Sequence, residues 1–169
     1  LRAVDEGVIL VVEGGRGPGR PDILLREVER LVAVWAHDPK SGTRRLAGLK
    51  QFHDTRYGET LRTGPTTFLQ VNRAASEALR GWVLDQGQVS PGERVVDAYC
   101  GVGSYGRELA KLGAQVVGIE RHPEAAKAAT RDAPEGFTVW PGAVEDRISE
   151  AMPAELVILN PPRTCPLYT

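Results

Sequence analysis

Arg94-Val95-Val96-Asp97-Ala98-Tyr99-Cys100-Gly101-Val102-Gly103-Ser104-Tyr105-Gly106 sets an apolar run against a glycine-rich turn. Val95, Val96 and Ala98 read as a short strand, and a helical pattern over residues 105–112 follows the turn directly. Glycines in a G-x-G-x-x-G turn let the backbone approach a ligand, and the free N–H groups of a helix start can donate to it. Downstream, residues 114–120, 137–140 and 155–159 read as strands, and residues 123–131 and 143–151 as helices. Strands alternating with helices of this length predict parallel βαβ units, hence an α/β fold with a doubly wound, Rossmann-like sheet.

Upstream, Val71, Ala74, Ala75, Ala78, Leu79, Trp82 and Val83 recur at helical spacing and form one apolar face, with Trp82 expected in the core. The first 64 residues have a different grammar. Val8-Ile9-Leu10-Val11-Val12 is rich in β-formers and runs into the breaker cluster at 14–19. Pro21 can open a helix carrying Ile23, Leu24, Val28 and Leu31. Residues 32–36 read as a strand, Asp38-Pro39-Lys40-Ser41-Gly42 as a turn, and short strands are expected around 46–52 and 59–62. The expected organisation is a small α+β region over 1–64 followed by the doubly wound domain over 65–169.

Composition narrows the function classes. The 169 residues are 41% hydrophobic and 25% charged, which suits a globular chain and excludes a disordered one. No apolar run nears the roughly 18 residues of a membrane span, and no signal-peptide pattern opens the chain. Two cysteines cannot build a disulfide framework, so a reducing cytoplasm is expected. A net charge of −1 excludes a polycation acting through bulk charge. The chain starts at Leu1 and stops at Thr169, ten residues after the last strand, so a fragment is expected.

Three further residues narrow the ligand. Glu120 ends the strand after the glycine turn, 19 residues beyond Gly101, where a carboxylate can accept from both ribose hydroxyls of a nucleotide. A dinucleotide-binding dehydrogenase satisfies the same pattern. Asp97 argues against it, since a carboxylate at the strand tip repels a pyrophosphate and suits an amine or a water. Asn160-Pro161-Pro162-Arg163 follows the fourth strand, offering an amide on a loop stiffened by two prolines where such folds bind ligands. Together these favour S-adenosylmethionine.

Four segments carry a family resemblance: Gly64-Pro65-Thr66-Thr67-Phe68-Leu69-Gln70-Val71-Asn72, Asp97 to Ser104, Gly118-Ile119-Glu120, and Asn160-Pro161-Pro162-Arg163. They resemble the uracil-C5 RNA methyltransferases, over residues 44–165 most clearly. The resemblance implies a class I methyltransferase domain, S-adenosylmethionine as cofactor, and methylation of uridine C5 in structured ribosomal or transfer RNA. A monomeric chain without membrane attachment is expected. By position, Gln70, Tyr99, Gly101, Gly103, Ser104, Glu120 and Asn160 would hold the methyl donor, and Phe68 would face the target base. Asn160 stands where the family usually has aspartate, and Ser104 where some members have asparagine. The family's nucleophilic cysteine and glutamate base are expected beyond Thr169. The alternatives are a methyltransferase for an exocyclic amino group, which uses N-P-P-x loops, and a non-catalytic donor-binding module.

Other residues receive plainer readings. Cys100 is expected to be a small buried packing residue, and Cys165 is not assigned to catalysis. His37, His53 and His122 lack metal-ligand spacing, so no metal is assigned, and they are expected on surfaces or loops without a carboxylate partner. Trp35 and Trp140 are expected to be core. Arg44, Arg45, Lys50, Arg56 and Arg62 form a loosely basic stretch that could meet phosphates or simply face water.

Overall fold

Strands in the first part of the chain form where β-branched residues cluster. The computed structural model describes residues 1–14, 19–56 and 58–162. β1 (Arg2–Val4) pairs antiparallel with β2 (Gly7–Glu13). Helix α1 (Pro21–Glu27), with proline in its first turn, carries the chain over to β3 (Leu31–Asp38), which lies parallel to β2. β4 (Gly42–Gly48) returns antiparallel, giving a sheet of order β1-β2-β3-β4. The tight turn between β3 and β4 is closed by Asp38, whose carboxylate accepts from the N–H groups of Lys40 and Ser41 at 2.8 Å each.

β5 (Phe52–Arg56) and β6 (Glu59–Thr63) form a separate hairpin. The single strand expected around 46–52 is thus divided between β4 and β5. Gly48 is the cause: its φ of 82° ends β4, and any side chain there would overlap the Val32 carbonyl. Phe52 is fully buried with Val4, Ile9 and Ala33, and Trp35 meets it edge-on at 6.0 Å. His53, expected without a carboxylate partner, has one: its Nδ1 lies 2.6 Å from Glu6, which also accepts from the His53 N–H. The contact joins residues 47 apart in sequence, so no local pattern announces it.

Thr67 closes the first unit. Its hydroxyl accepts from the Gly64 N–H at 3.0 Å, and Arg2 donates to Gly64 O and to the Thr63 hydroxyl. The chain divides into two units, Leu1–Thr67 and Phe68–Thr169.

The second unit opens with α2 (Arg73–Gly87), capped by the Asn72 side chain accepting from Ala75 N at 3.0 Å. There follow β7 (Arg94–Ala98), α3 (Gly106–Lys111), β8 (Gln115–Glu120), α4 (Pro123–Thr130), β9 (Phe137–Pro141), α5 (Val144–Ala151) and β10 (Leu156–Leu159). All four strands are parallel, in the order β10-β7-β8-β9, as the βαβ alternation predicts. Side chains alternate between two cores. Val95, Val116, Phe137 and Ile158 pack with Leu109, Ala110 and Ala129 on one face. Val96, Ala98 and Ile119 pack with Val144 and Ala151 on the other. At about 1.5–3 kcal/mol for each large buried apolar side chain, these two layers are the main stabilising term.

Helix α2 corrects one expectation. Val83 and Leu84 pack against the first core, but Val71, Leu79 and Trp82 are 92%, 50% and 61% exposed. Apolar residues extend further around this helix than the stripe that faces the sheet, so Trp82 is a surface residue here. Among the described residues, no helix is long and apolar enough to cross a membrane.

Candidate nucleotide-binding site

Register places the site. Ala98 lies beside Leu159 on one side and Ile119 on the other, so β10, β7 and β8 end at one level. Asn160, the Tyr99–Gly101 segment and Glu120 therefore stand side by side at the carboxyl edge, where open α/β sheets bind ligands. The Cys100 N–H continues the ladder to Ile119 O at 3.0 Å, and the Gly103 N–H closes the turn onto Cys100 O at 2.8 Å.

The glycines of the turn have different tasks. Gly101 has φ 59°, and a side-chain carbon there would meet nothing within 4 Å. It borders open space. Gly103, at φ 83°, would place the same carbon 2.6 Å from the Phe137 ring, and Gly106 would place it 2.5 Å away. Those two positions are small because Phe137 packs on them. Gly118 joins the same contact, at 2.8 Å from Phe137 and 2.9 Å from the Cys100 sulfur.

Glu120 is wired into the turn. Its Oε2 accepts from the Gly101 N–H at 2.8 Å and its Oε1 from the His122 N–H at 2.6 Å. Each oxygen keeps a further lone pair for a donor from solvent or ligand. Asp97 is turned inward: it is 1% exposed and accepts from the Gly106 N–H at 2.9 Å, at the start of α3. Burial pushes its carboxyl up to about 7, the Glu120 charge adds to this, and the Gly106 hydrogen bond opposes it. Its expected role beside an amine or water of the ligand is thus replaced, for Oδ2, by a bond inside the protein.

Tyr99 has left-handed backbone at φ 62°, uncommon for a residue with a side chain. Its ring packs beside the second core, and its hydroxyl donates to Glu145 at 2.8 Å. Ser104 is half-buried within the turn, while Asn160 is exposed at the end of β10. Phe68, 73% exposed, and Gln70 lie on the segment leading into α2. Asn72 of that segment is explained by capping alone. Arg163 and Cys165 lie outside the described residues.

Cys100 is buried as expected, and burial, with the Asp97 and Glu120 charges, drives its thiol far up. Such a sulfur is no nucleophile. Of the basic stretch, Arg44, Arg45, Lys50 and Arg62 are exposed, but the Arg56 side chain is 8% exposed and bound to Asp54 at 2.7 Å. Arg56 is structural. Sequence reasoning missed Arg107, a buried cation whose guanidinium donates to the carbonyls of Ala129, Arg131 and Asp132 at 3.1, 3.0 and 2.7 Å. It caps the end of α4 from α3, and no local motif marks it. The strand glycine Gly118 was a usable signal for a close approach.

No family model matches the chain. It is 45% identical over 69 residues to the 23S rRNA (uracil(1939)-C(5))-methyltransferase RlmD of Shewanella sediminis, covering 41% of this chain and 16% of that protein. It is 35% identical over 127 residues to the human tRNA (uracil-5-)-methyltransferase homolog A, covering 70% and 20%. The solved Pyrococcus abyssi tRNA (uracil-54, C5)-methyltransferase, in complex with S-adenosyl-L-homocysteine, superposes with a TM-score of 0.62 at 23% identity, covering 92% of this chain and 40% of that one. This chain spans less than a third of each of these two curated relatives. Over the matched residues, the chain is a homologue of the uracil-C5 RNA methyltransferases, and it has a Rossmann-like α/β fold.

Proposed function

We propose that the second unit binds S-adenosylmethionine and serves methylation of uridine C5 in structured ribosomal or transfer RNA. The observation that carries this reading is Glu120, held against the Gly101 N–H where the turn borders open space. A nucleoside seated there would give its ribose hydroxyls to the Glu120 carboxylate and meet the backbone at Gly101 and Gly103. Tyr99, Ser104 and Gln70 would complete the donor pocket, the Asn160 amide would reach it from the neighbouring strand end, and Phe68 would face the base. When bound, the donor supplies a methyl group on a sulfonium, an electrophile.

Uracil C5 is a poor nucleophile, and a thiolate adding at C6 makes it reactive. Cys100 cannot do this, because its buried thiol stays protonated. The described residues therefore bind and orient, and this chain alone is expected not to methylate uridine. The reading places the protein in the cytoplasm as a monomer.

Equilibrium dialysis with labelled S-adenosylmethionine tests the proposal. Saturable retention, displaced by S-adenosylhomocysteine and untouched by NAD, is expected. Displacement by NAD would instead assign the site to a dinucleotide. Incubation with labelled donor and uridine-rich RNA should give no incorporation, and incorporation abolished by Cys165→Ser would make Cys165 the nucleophile.

A further inference from the structure

Tyr99 is held in an unfavourable backbone conformation, and its ring is tied down at the far end. A left-handed φ of 62° is unfavourable for a residue with a side chain, and such strain persists only where surroundings enforce it. Here the enforcement comes from two sides. The ring packs beside the core that contains Ile119 and Val144, and the hydroxyl donates to Glu145 at 2.8 Å. Glu145 lies 46 residues away in sequence, in the first turn of α5. The bond thus reaches from the end of β7 to the helix that follows β9, the far edge strand of the sheet. Between those strands, Glu120 ends β8.

We propose that Glu145 is a positioning residue for donor binding: by accepting the Tyr99 hydroxyl, it holds the Tyr99 ring in the pocket beside the glycine turn. This rests on the donor-binding reading of the same site. A plainer account also exists, in which Glu145 only favours the positive N-terminal end of α5. The two differ in what Tyr99 contributes, because a charge effect on the helix does not need the phenol oxygen.

Calorimetric titration of S-adenosylhomocysteine into the whole chain separates them. Glu145→Ala should weaken binding about five- to tenfold, the scale of one net hydrogen bond. Tyr99→Phe should do the same, and the double variant should be no weaker than either single one. Glu145→Gln, whose amide oxygen still accepts, should restore affinity to within about twofold. Unchanged affinity in Tyr99→Phe would overturn the proposal even if Glu145→Ala failed to fold. A Glu145→Ala loss that persists undiminished in the Tyr99→Phe background would also overturn it, in favour of the helix-charge account. If the unaltered chain does not bind the ligand, the donor-binding reading falls, and this inference with it.

Discussion

The fully buried carboxylates Asp54 in the first unit and Asp97 in the second are held in different ways. In the first, a fully buried Asp54 meets the Arg56 guanidinium at 2.7 Å, so charge is answered by charge between neighbours on one hairpin strand. In the second, Asp97 and Arg107 turn to the backbone: one accepts from the Gly106 N–H, the other donates to three carbonyls around the end of α4. The difference is one of purpose. An ion pair within a hairpin fixes that hairpin, whereas Asp97 ties β7 to the start of α3 and Arg107 ties α3 to the end of α4. Glu120 extends the second pattern into the site itself through the Gly101 N–H.

The sharpest way to break this comparison is Arg56→Ala. It leaves Asp54 buried beside an empty space, and a loss of about 3–5 kcal/mol is expected. Hydrogen exchange should show the loss at the β5–β6 amides. Equal loosening of β7 and β8 would show that the units do not keep their stabilities apart. Gly103→Ala comes next, at about 3 kcal/mol, combining a left-handed backbone with a clash against Phe137. Phe137→Leu in the same chain should recover part of it, and urea unfolding reads both. Arg107→Met is smaller, about 1–3 kcal/mol for carbonyls left short of donors, and exchange should rise first at the end of α4.

Asp97 adds an effect that depends on pH and has a definite sign. Its carboxyl sits near 7 in the folded state against an ordinary value of 3.8, so the folded chain holds the extra proton between those limits. Stability from this group is therefore greatest below pH 4, falls as pH rises towards 7, and is level above. Asp97→Asn keeps an acceptor for the Gly106 N–H and should remove that slope. Urea midpoints at pH 5 and pH 7.5 would show it; a slope that survives the substitution would place the proton elsewhere.

Much of this was legible in the sequence, and the failures share a cause. The alternation of strands and helices after residue 94 predicts the parallel sheet, because period and length are local properties. The strand-end placement of Glu120 and Asn160 followed from the same alternation. The glycine turn was legible as a turn, but not that Phe137, more than thirty residues downstream in the chain, packs on Gly103 and Gly106. The apolar stripe on α2 showed a helix but not which part of it meets the sheet. Arg107, Glu6 with His53, and Glu145 with Tyr99 all act across long sequence separations, where no spacing rule applies.

The central claim is that Glu120 makes this strand edge a nucleoside site for a methyl donor. Calorimetry on the unaltered chain and Glu120→Ala, with S-adenosylhomocysteine and NAD as ligands, tests it most directly. The account predicts binding of S-adenosylhomocysteine by the unaltered chain and none of NAD. It also predicts a loss of about 1–3 kcal/mol on Glu120→Ala, the scale for charged hydrogen bonds. Tighter binding of NAD, or S-adenosylhomocysteine affinity indifferent to Glu120, would contradict it.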